Sequence, residues 1–189
     1  MPTGGGLWCT NIGPGRREMA QAIADQAERL AFCNTFVDMT NEPAARLAAR
    51  IADLAPGDRN RVHFTTGGST AVDTAVRMVS DYHHARGNPL KTDIVARYYS
   101  YHGSTCRSQS VGKRPGDRVD KFRHKTDGIH HLSVPNPYRR PVRLSEALFC
   151  DTLITEFEAL IARVGADRIG GFIAAPTQAS GGIIIAPKG

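Results

Sequence analysis

Residues 63–76 read HFTTGGSTAVDTAV, an apolar start followed by two glycines, two hydroxyl residues and then small helix-forming residues. This order predicts a strand over Val62–Thr65 that turns directly into a helix over Ser69–Ala85. Spacing alone leaves two interpretations of the turn: its hydroxyls cap the helix, or its backbone N–H groups cradle a phosphate. One side of the helix should be buried through an apolar stripe formed by Val72, Ala75, Val76 and Val79.

The remaining chain alternates between helical and extended patterns, which predicts an α/β fold with a mainly parallel sheet. A helical segment over residues 1–60 should lead into a domain over residues 61–189 that is incomplete at its C-terminal end. Helices are expected over residues 15–32, from Asn41 to Leu54, in a short stretch after Thr105, and from Ser145 with Leu148, Leu153, Phe157, Leu160 and Ile161 inward. Further strands are expected over Asp93–Tyr98, Ile129–Val134 and Gly171–Ala174.

The composition is that of a soluble globular protein, with 41% apolar and 22% charged residues among 189. No apolar run is long enough to span a bilayer, so no membrane association is expected. The N-terminus lacks a secretory signal pattern. The four cysteines are scattered, which favours a reducing, cytoplasmic location.

The residues give little support to three other functions. Seven basic side chains lie within residues 107–125, but a single aromatic residue among them, Phe122, is too few for a platform that stacks on bases, so a solvated loop or an anion-attracting rim is favoured over nucleic acid. His130 and His131 are adjacent on a strand and should face opposite ways, so no metal site is expected. No GxSxG motif supports a serine nucleophile.

A second turn, Tyr101-His102-Gly103, directly follows the second strand. If the two strands are neighbours, Tyr101 can lay its ring beside whatever the first turn holds, because ligands bind at the carboxyl ends of parallel strands. A flat aromatic cofactor with a phosphate tail would use both turns. Taken alone, a tyrosine in the position of Tyr101 is more often a surface or rim residue, and His102 a hydrogen-bonded polar residue.

The whole set of motifs resembles the class III, or omega, aminotransferases, which are pyridoxal-phosphate enzymes of fold type I. The resemblance is strongest to β-alanine, taurine and other amine:pyruvate transaminases. It covers nearly the whole chain in the correct order, through GLWCTNIGPGRREMAQAIADQAE, HFTTGGSTAVDTAVRMV, ARYYSYHGST, VPNPYRRP and GGFIAAPTQASGGIIIAPKG. It implies a three-layer α/β/α architecture that forms part of the large domain of fold type I.

The resemblance assigns roles to individual residues. Gly68 and Ser69 match the positions that hold the cofactor phosphate, and Thr70 stands where many relatives have an acidic residue. Tyr101 matches the tyrosine that stacks on the pyridine ring, with His102 and Gly103 completing that motif. Trp8 matches a tryptophan that walls the substrate pocket.

Two departures concern the reaction itself. The family needs a lysine that forms a Schiff base with the cofactor, and none of the five lysines matches its context, so no catalytic residue is assigned. Those lysines are Lys91, Lys113, Lys121, Lys125 and Lys188. Ala175-Pro176 also stands where the family usually has Glu-Pro.

The resemblance therefore implies an aminotransferase-like chain that is inactive alone. The intact family transfers an amino group from an amine or ω-amino acid to pyruvate or a similar keto acid, and it forms homodimers. The alternative is a non-catalytic remnant that binds phosphate or pyridoxal phosphate, or that pairs with an intact subunit.

Overall fold

The computed structural model describes residues 6, 9–36, 39–117 and 126–188. It divides the chain into two compact units, residues 1–63 and residues 64–189. The assignment of residues 1–60 as a helical segment that leads into a domain over residues 61–189 stays a prediction.

The described residues 9–36 and 39–63 of the first unit include two amphipathic helices, α1 (Arg17–Arg29) and α2 (Glu42–Leu54). Asn41 caps α2 through its side chain, whose oxygen accepts a hydrogen bond from the N–H of Ala44 at 2.9 Å. Pro43 sits in the first turn of α2, as predicted from its fixed φ and missing N–H. Both helices are confirmed, with α1 two to three residues shorter at each end than its pattern indicated.

The described part of the second unit contains three helices, a three-stranded sheet and a short hairpin. Its elements, in chain order, are α3 (Gly68–Ala85), β1 (Asp93–Arg97), α4 (Cys106–Val111), β2 (Ile129–Leu132), α5 (Glu146–Val164), β3 (Ile169–Phe172), β4 (Thr177–Gln178) and β5 (Ile184–Ile185), with 3-10 turns at Pro115–Asp117 and Pro137–Arg139. The sheet order is β2-β1-β3 and both pairings are parallel, whereas β4 and β5 pair antiparallel.

The sheet lies between two helical layers, which confirms the predicted α/β/α architecture. Because neighbouring side chains of a strand face opposite ways, Ile94 and Ala96 pack with Val76 of α3 and Val111 of α4. On the other face, a second cluster joins the sheet to α5 and contains Val95, Leu132 and Leu160. The central strand β1 is thus covered on both sides, as parallel sheets require.

The predicted strand over Val62–Thr65 is wrong. Residues 61–65 form no ladder with any described strand, and a strand exists only through such pairing. The third strand runs over Ile169–Phe172, two residues earlier than expected, because Asp93 at the start of β1 pairs with Ile169. The second strand of the sheet, β2, ends at Leu132, since the N–H of Ser133 turns to the Glu156 carboxylate at 3.1 Å.

Two predicted core positions are also wrong. Ala75 is exposed at the edge of the apolar stripe of α3, although Val72, Val76 and Val79 pack on the sheet as expected. Leu148 in the first turn of α5 is 52% exposed, because the contacts of α5 with the sheet begin further along, at Phe157 and Leu160.

An ionic cluster ties the three strands together at their amino ends. Asp93, only 3% exposed, accepts a hydrogen bond from Nε2 of His130 on β2 at 2.8 Å. Its other oxygen lies 3.6 Å from a guanidinium nitrogen of Arg168, which immediately precedes β3. A buried carboxylate is stable only with such partners, so removing either side should be costly.

We expect Asp93→Ala to lower the free energy of unfolding by about 2 kcal/mol, the usual scale for hydrogen bonds to a charged group. Urea denaturation followed by circular dichroism measures this difference. Asp151→Ala, at an exposed position of α5, is the matched control and should change stability little. Equal losses in the two variants would contradict a structural role for the Asp93 cluster.

Candidate functional site

The N-terminus of α3 is open and has no side-chain cap. Gly67 is the N-cap residue of this 18-residue helix, and no side-chain oxygen caps the first N–H groups. Those N–H groups have no partner within the helix and carry a partial positive charge. A Cβ added at Gly67 or Gly68 would meet no described atom within 4 Å, so an anion can approach the backbone here.

The threonines beside this turn hold its shape. The Thr70 hydroxyl donates to the carbonyl oxygen of Gly67 at 2.8 Å, and Thr65 donates to the same oxygen at 3.0 Å. The N–H of Ala71 donates to it as well, at 2.9 Å. The Thr70 hydroxyl proton is therefore used within the turn, and an anion would meet Thr70 through its backbone N–H.

The second turn is joined to the first by side chains of α3. The Ser69 hydroxyl accepts from the N–H of Ser104 at 3.0 Å, and the Thr105 hydroxyl donates to the Ser69 carbonyl at 3.4 Å. A hydroxyl that accepts one bond keeps its own proton, so Ser69 can still donate to an anion. The two turns therefore meet as the sequence suggested, but not through neighbouring strands, because residues 61–65 form no strand; the contacts of Ser69 join them instead.

Asp73 links α3 to the segment that follows the second turn. It is the sixth residue of α3, and it accepts a hydrogen bond from the N–H of Ser108 at 2.7 Å. That N–H belongs to the first turn of α4, whose N-cap residue Thr105 makes no side-chain cap. Asp73 therefore caps a different helix from its own, a long-range contact that no local pattern indicates.

Gly103 is required where the two turns touch. Its φ of +141° lies in the region that side-chain-bearing residues rarely adopt. A Cβ at this position would overlap the Ser108 hydroxyl and lie 2.7 Å from the Ser69 hydroxyl. The close approach of the turn containing Tyr101 to α3 thus depends on a glycine at position 103.

Tyr101 and His102 occupy opposite environments in the second turn. Tyr101 is 46% exposed, and the guanidinium carbon of Arg114 lies over its ring, 4.9 Å from the ring centre. The His102 imidazole is partly buried, and its Nε2 has no hydrogen-bond partner in the described structure. Tyr101 is therefore the member of the motif that can meet a ligand, and His102 packs beneath the turn.

Three of the motifs that carry the family resemblance line one cavity of about 480 Å³. Its wall residues come from the ends of β1 and β2, from the 3-10 turn of the PNPYRRP segment, and from the hairpin loop: Tyr99, Val134, Asn136, Arg139, Gly181 and Gly182. Tyr99 has a φ of +61°, an uncommon conformation for an aromatic residue. A Cβ at Gly181 would lie 2.6 Å from the Tyr99 carbonyl oxygen, so glycine is needed there too.

The structure thus gathers the predicted cofactor residues at the carboxyl end of β1, whereas the predicted substrate residue Trp8 lies outside the described residues. The contacts made by Arg114 and Asp73 were missed, since both join segments far apart in sequence. Among the described residues, no three ligating side chains cluster as a metal site would need, and no helix is long and apolar enough to cross a membrane.

Comparisons with known proteins agree with this arrangement. The family model described as aminotransferase class-III matches residues 3–189. Putrescine–pyruvate aminotransferase of Pseudomonas aeruginosa is 38% identical over 184 residues, which cover 96% of this chain and 40% of that protein. Diaminobutyrate–2-oxoglutarate transaminase of Halomonas elongata is 33% identical over 187 residues, 97% of this chain and 40% of that protein.

Solved structures show the same likeness. An (S)-enantioselective omega-transaminase from Thermomicrobium roseum matches with a TM-score of 0.95 and 36% identity, covering all of this chain and 42% of that one. A PLP-bound aminotransferase mutant from Vibrio fluvialis matches with a TM-score of 0.93 and 32% identity, covering 98% and 41% of the two chains. The chain belongs to the class III aminotransferases. It spans about two fifths of the length of the curated relatives it matches.

The class III family uses pyridoxal phosphate, so the predicted cofactor is confirmed at the level of the family. The residues present fit that group chemically. An uncapped helix N-terminus with open space beside Gly67 and Gly68 suits a phosphate, and the half-exposed ring of Tyr101 suits a flat heterocycle. The residue-level roles stay predictions.

Burial beneath the second turn makes the stability of the second unit sensitive to acid. It lowers the pKa of His102 below the ordinary value of 6.5, and the nearby His131 lowers it further. Burial also lowers the pKa of His131; Lys113 and His130 add to this, while the hydrogen bond to the Val111 carbonyl opposes it. The unfolded chain therefore takes up these protons at a higher pH than the folded chain does.

We expect the free energy of unfolding to be largest above about pH 6.5 and to fall as the pH drops from there through the folded-state pKa values. Urea denaturation at a series of pH values measures this slope. The double variant His102→Asn/His131→Asn should flatten it, with His84→Asn as the control for losing an exposed histidine. An unchanged slope in the double variant would contradict the assignment.

Proposed function

We propose that this chain forms the phosphate-binding and ring-stacking part of a pyridoxal-phosphate site in a class III aminotransferase. The observation that carries the proposal is the junction of the α3 N-terminus with the turn at Tyr101. The relatives named above act on amines or amino acids together with keto acids. The whole protein would accordingly transfer an amino group from an amine or ω-amino acid to pyruvate or a similar keto acid.

Each residue of the candidate site has a binding or positioning role in this proposal. The N–H groups at Gly68, Ser69 and Thr70 hold the phosphate, together with the Ser69 hydroxyl, which keeps its proton while accepting from Ser104. Tyr101 presents its ring to the pyridine ring, and Gly103 allows the turn to approach α3. Bound pyridoxal phosphate supplies an electron sink for negative charge at the carbon that bears the amino group.

We also propose that the chain alone does not transaminate, because none of its five lysines stands in the sequence context of the family's Schiff-base lysine. Lys91 precedes β1 and so lies at the amino end of the strand, a strand length of roughly 16 Å from the carboxyl end. Lys113 lies nearer to the site, and both its backbone groups bond to the chain just before Tyr101. Lys188 follows the hairpin, where its N–H donates to Glu146.

Two further expectations are part of the proposal. The intact protein would be a homodimer, as its family resemblance implies. Its four cysteines are scattered and form no disulfide among the described residues, which fits a cytoplasmic location.

The test is a titration of the chain with pyridoxal phosphate, followed by the absorption of the cofactor. We expect saturable binding that Ser69→Ala weakens by about tenfold, since a hydrogen bond to a charged group is lost. Ser69→Thr keeps the hydroxyl and should restore part of the affinity. Ser80→Ala, lower on the same helix, is the matched control.

Borohydride reduction and mass spectrometry of the same samples test the claim about lysines. We expect no specific covalent adduct, which would leave the chain as a binding unit. Specific labelling of one lysine, with Lys113 the nearest described candidate, would contradict that claim. Absence of saturable binding, or equal affinity of the wild type and Ser69→Ala, would contradict the proposed site.

A further inference from the structure

Arg114 covers one face of the Tyr101 ring. Its guanidinium carbon lies 4.9 Å from the centre of that ring, within the range of a cation–π contact. An aromatic ring has two faces, and a guanidinium over one of them leaves the other for a flat ligand. Arg114 therefore contacts Tyr101, the side chain to which the proposed function assigns ring stacking.

Asp117 fixes the guanidinium in this place. Arg114 donates to the same Asp117 oxygen through Nε at 3.1 Å and through Nη2 at 2.5 Å. The Asp117 side chain is only 14% exposed and the Arg114 side chain 36%, so the pair is largely shielded from water. An arginine held through two nitrogens has little freedom to swing away from the ring.

The backbone holds the same two segments side by side. The N–H of Lys113 donates to the Ser100 carbonyl at 3.0 Å, and the N–H of Tyr99 donates to the Lys113 carbonyl at 3.1 Å. Each bonded residue is next to, or two residues from, one member of the Arg114–Tyr101 pair. The Asp117 carbonyl in turn accepts from the Gln109 side chain of α4 at 3.3 Å. The position of Arg114 is thus fixed by hydrogen bonds to the Tyr101 turn and to α4, the helix that Asp73 caps.

The charge of Arg114 is compensated within this set of contacts. A free arginine at this position would attract the phosphate or a substrate carboxylate, but the Asp117 carboxylate neutralises it at contact distance. Arg114 is therefore better suited to holding the Tyr101 ring in place than to binding an anion.

We propose that Arg114 is a positioning residue, held by Asp117, that fixes the plane of the Tyr101 ring for cofactor stacking. The inference rests on the proposed function only for the identity of the stacked ligand. The packing of Arg114 on Tyr101 can be measured without any cofactor.

The first readout is fluorine NMR of the whole chain labelled with 3-fluorotyrosine at its five tyrosines, with the Tyr101 resonance assigned from Tyr101→Phe. Arg114→Gln should shift the Tyr101 resonance and sharpen it as the ring becomes freer. Asp117→Asn leaves the arginine present but loosens it, and should shift the resonance in the same direction by less. Arg114→Lys keeps the charge and should remain closer to the wild type.

The second readout is pyridoxal phosphate affinity of the same proteins. Arg114→Gln should raise the dissociation constant by about two- to fivefold, the worth of a partly exposed cation–π contact. Arg107→Gln removes the same charge from the same basic segment and is the matched control. It should change neither the Tyr101 resonance nor the affinity.

Each outcome decides the proposal separately from the proposed function. An unchanged Tyr101 resonance in both Arg114→Gln and Asp117→Asn overturns it, whether or not the cofactor binds. A shifted resonance with unchanged or tighter cofactor binding also overturns it, since Arg114 would then be irrelevant to stacking or would cover the face that the cofactor needs. If the wild type binds no cofactor, the proposed function fails and Arg114 has no stacking role.

Discussion

The candidate site depends on two hydrogen bonds that α3 accepts from the chain beyond β1. Ser69 accepts the N–H of Ser104, and one turn of helix further on, Asp73 accepts the N–H of Ser108. Together they fix the Tyr101 turn against the N-terminus of α3 and cap α4 at the same time. Without them, an uncapped helix terminus and a half-exposed tyrosine would be two unrelated features.

The residues around these two hydrogen bonds fall into two groups: those that can bind a ligand and those that support them. The carboxyl end of β1 delivers Tyr101, whose ring has Arg114 on one face, while His102 is packed beneath the turn with a lowered pKa caused mainly by burial. Gly103 permits the contact because no side chain would fit there. At the amino ends of the strands, the hydrogen bond between Asp93 and His130 instead holds the sheet together.

Periodicity and capping rules predicted the helices and the parallel sheet, because those features are encoded in short stretches such as the Asn41 cap and the apolar core of β1. The strand expected over Val62–Thr65 failed because a strand needs a partner, which an apolar run cannot specify. In the site, the first glycine turn was recognisable from its residues ahead of a helix, and the second from its position after β1. The long-range contacts of Asp73 and Arg114 were not, since each joins residues that only the folded sheet brings together.

Amide hydrogen exchange of Ser104 and Ser108, measured by NMR on the whole chain, tests the central claim most directly. The account predicts that both N–H groups are protected to a degree similar to the β1 ladder, and that Asp73→Ala removes the protection of Ser108. Fast exchange at both positions in the wild type, beside a protected β1, would mean that α3 does not hold the second turn. The junction proposed as the cofactor site would then be contradicted.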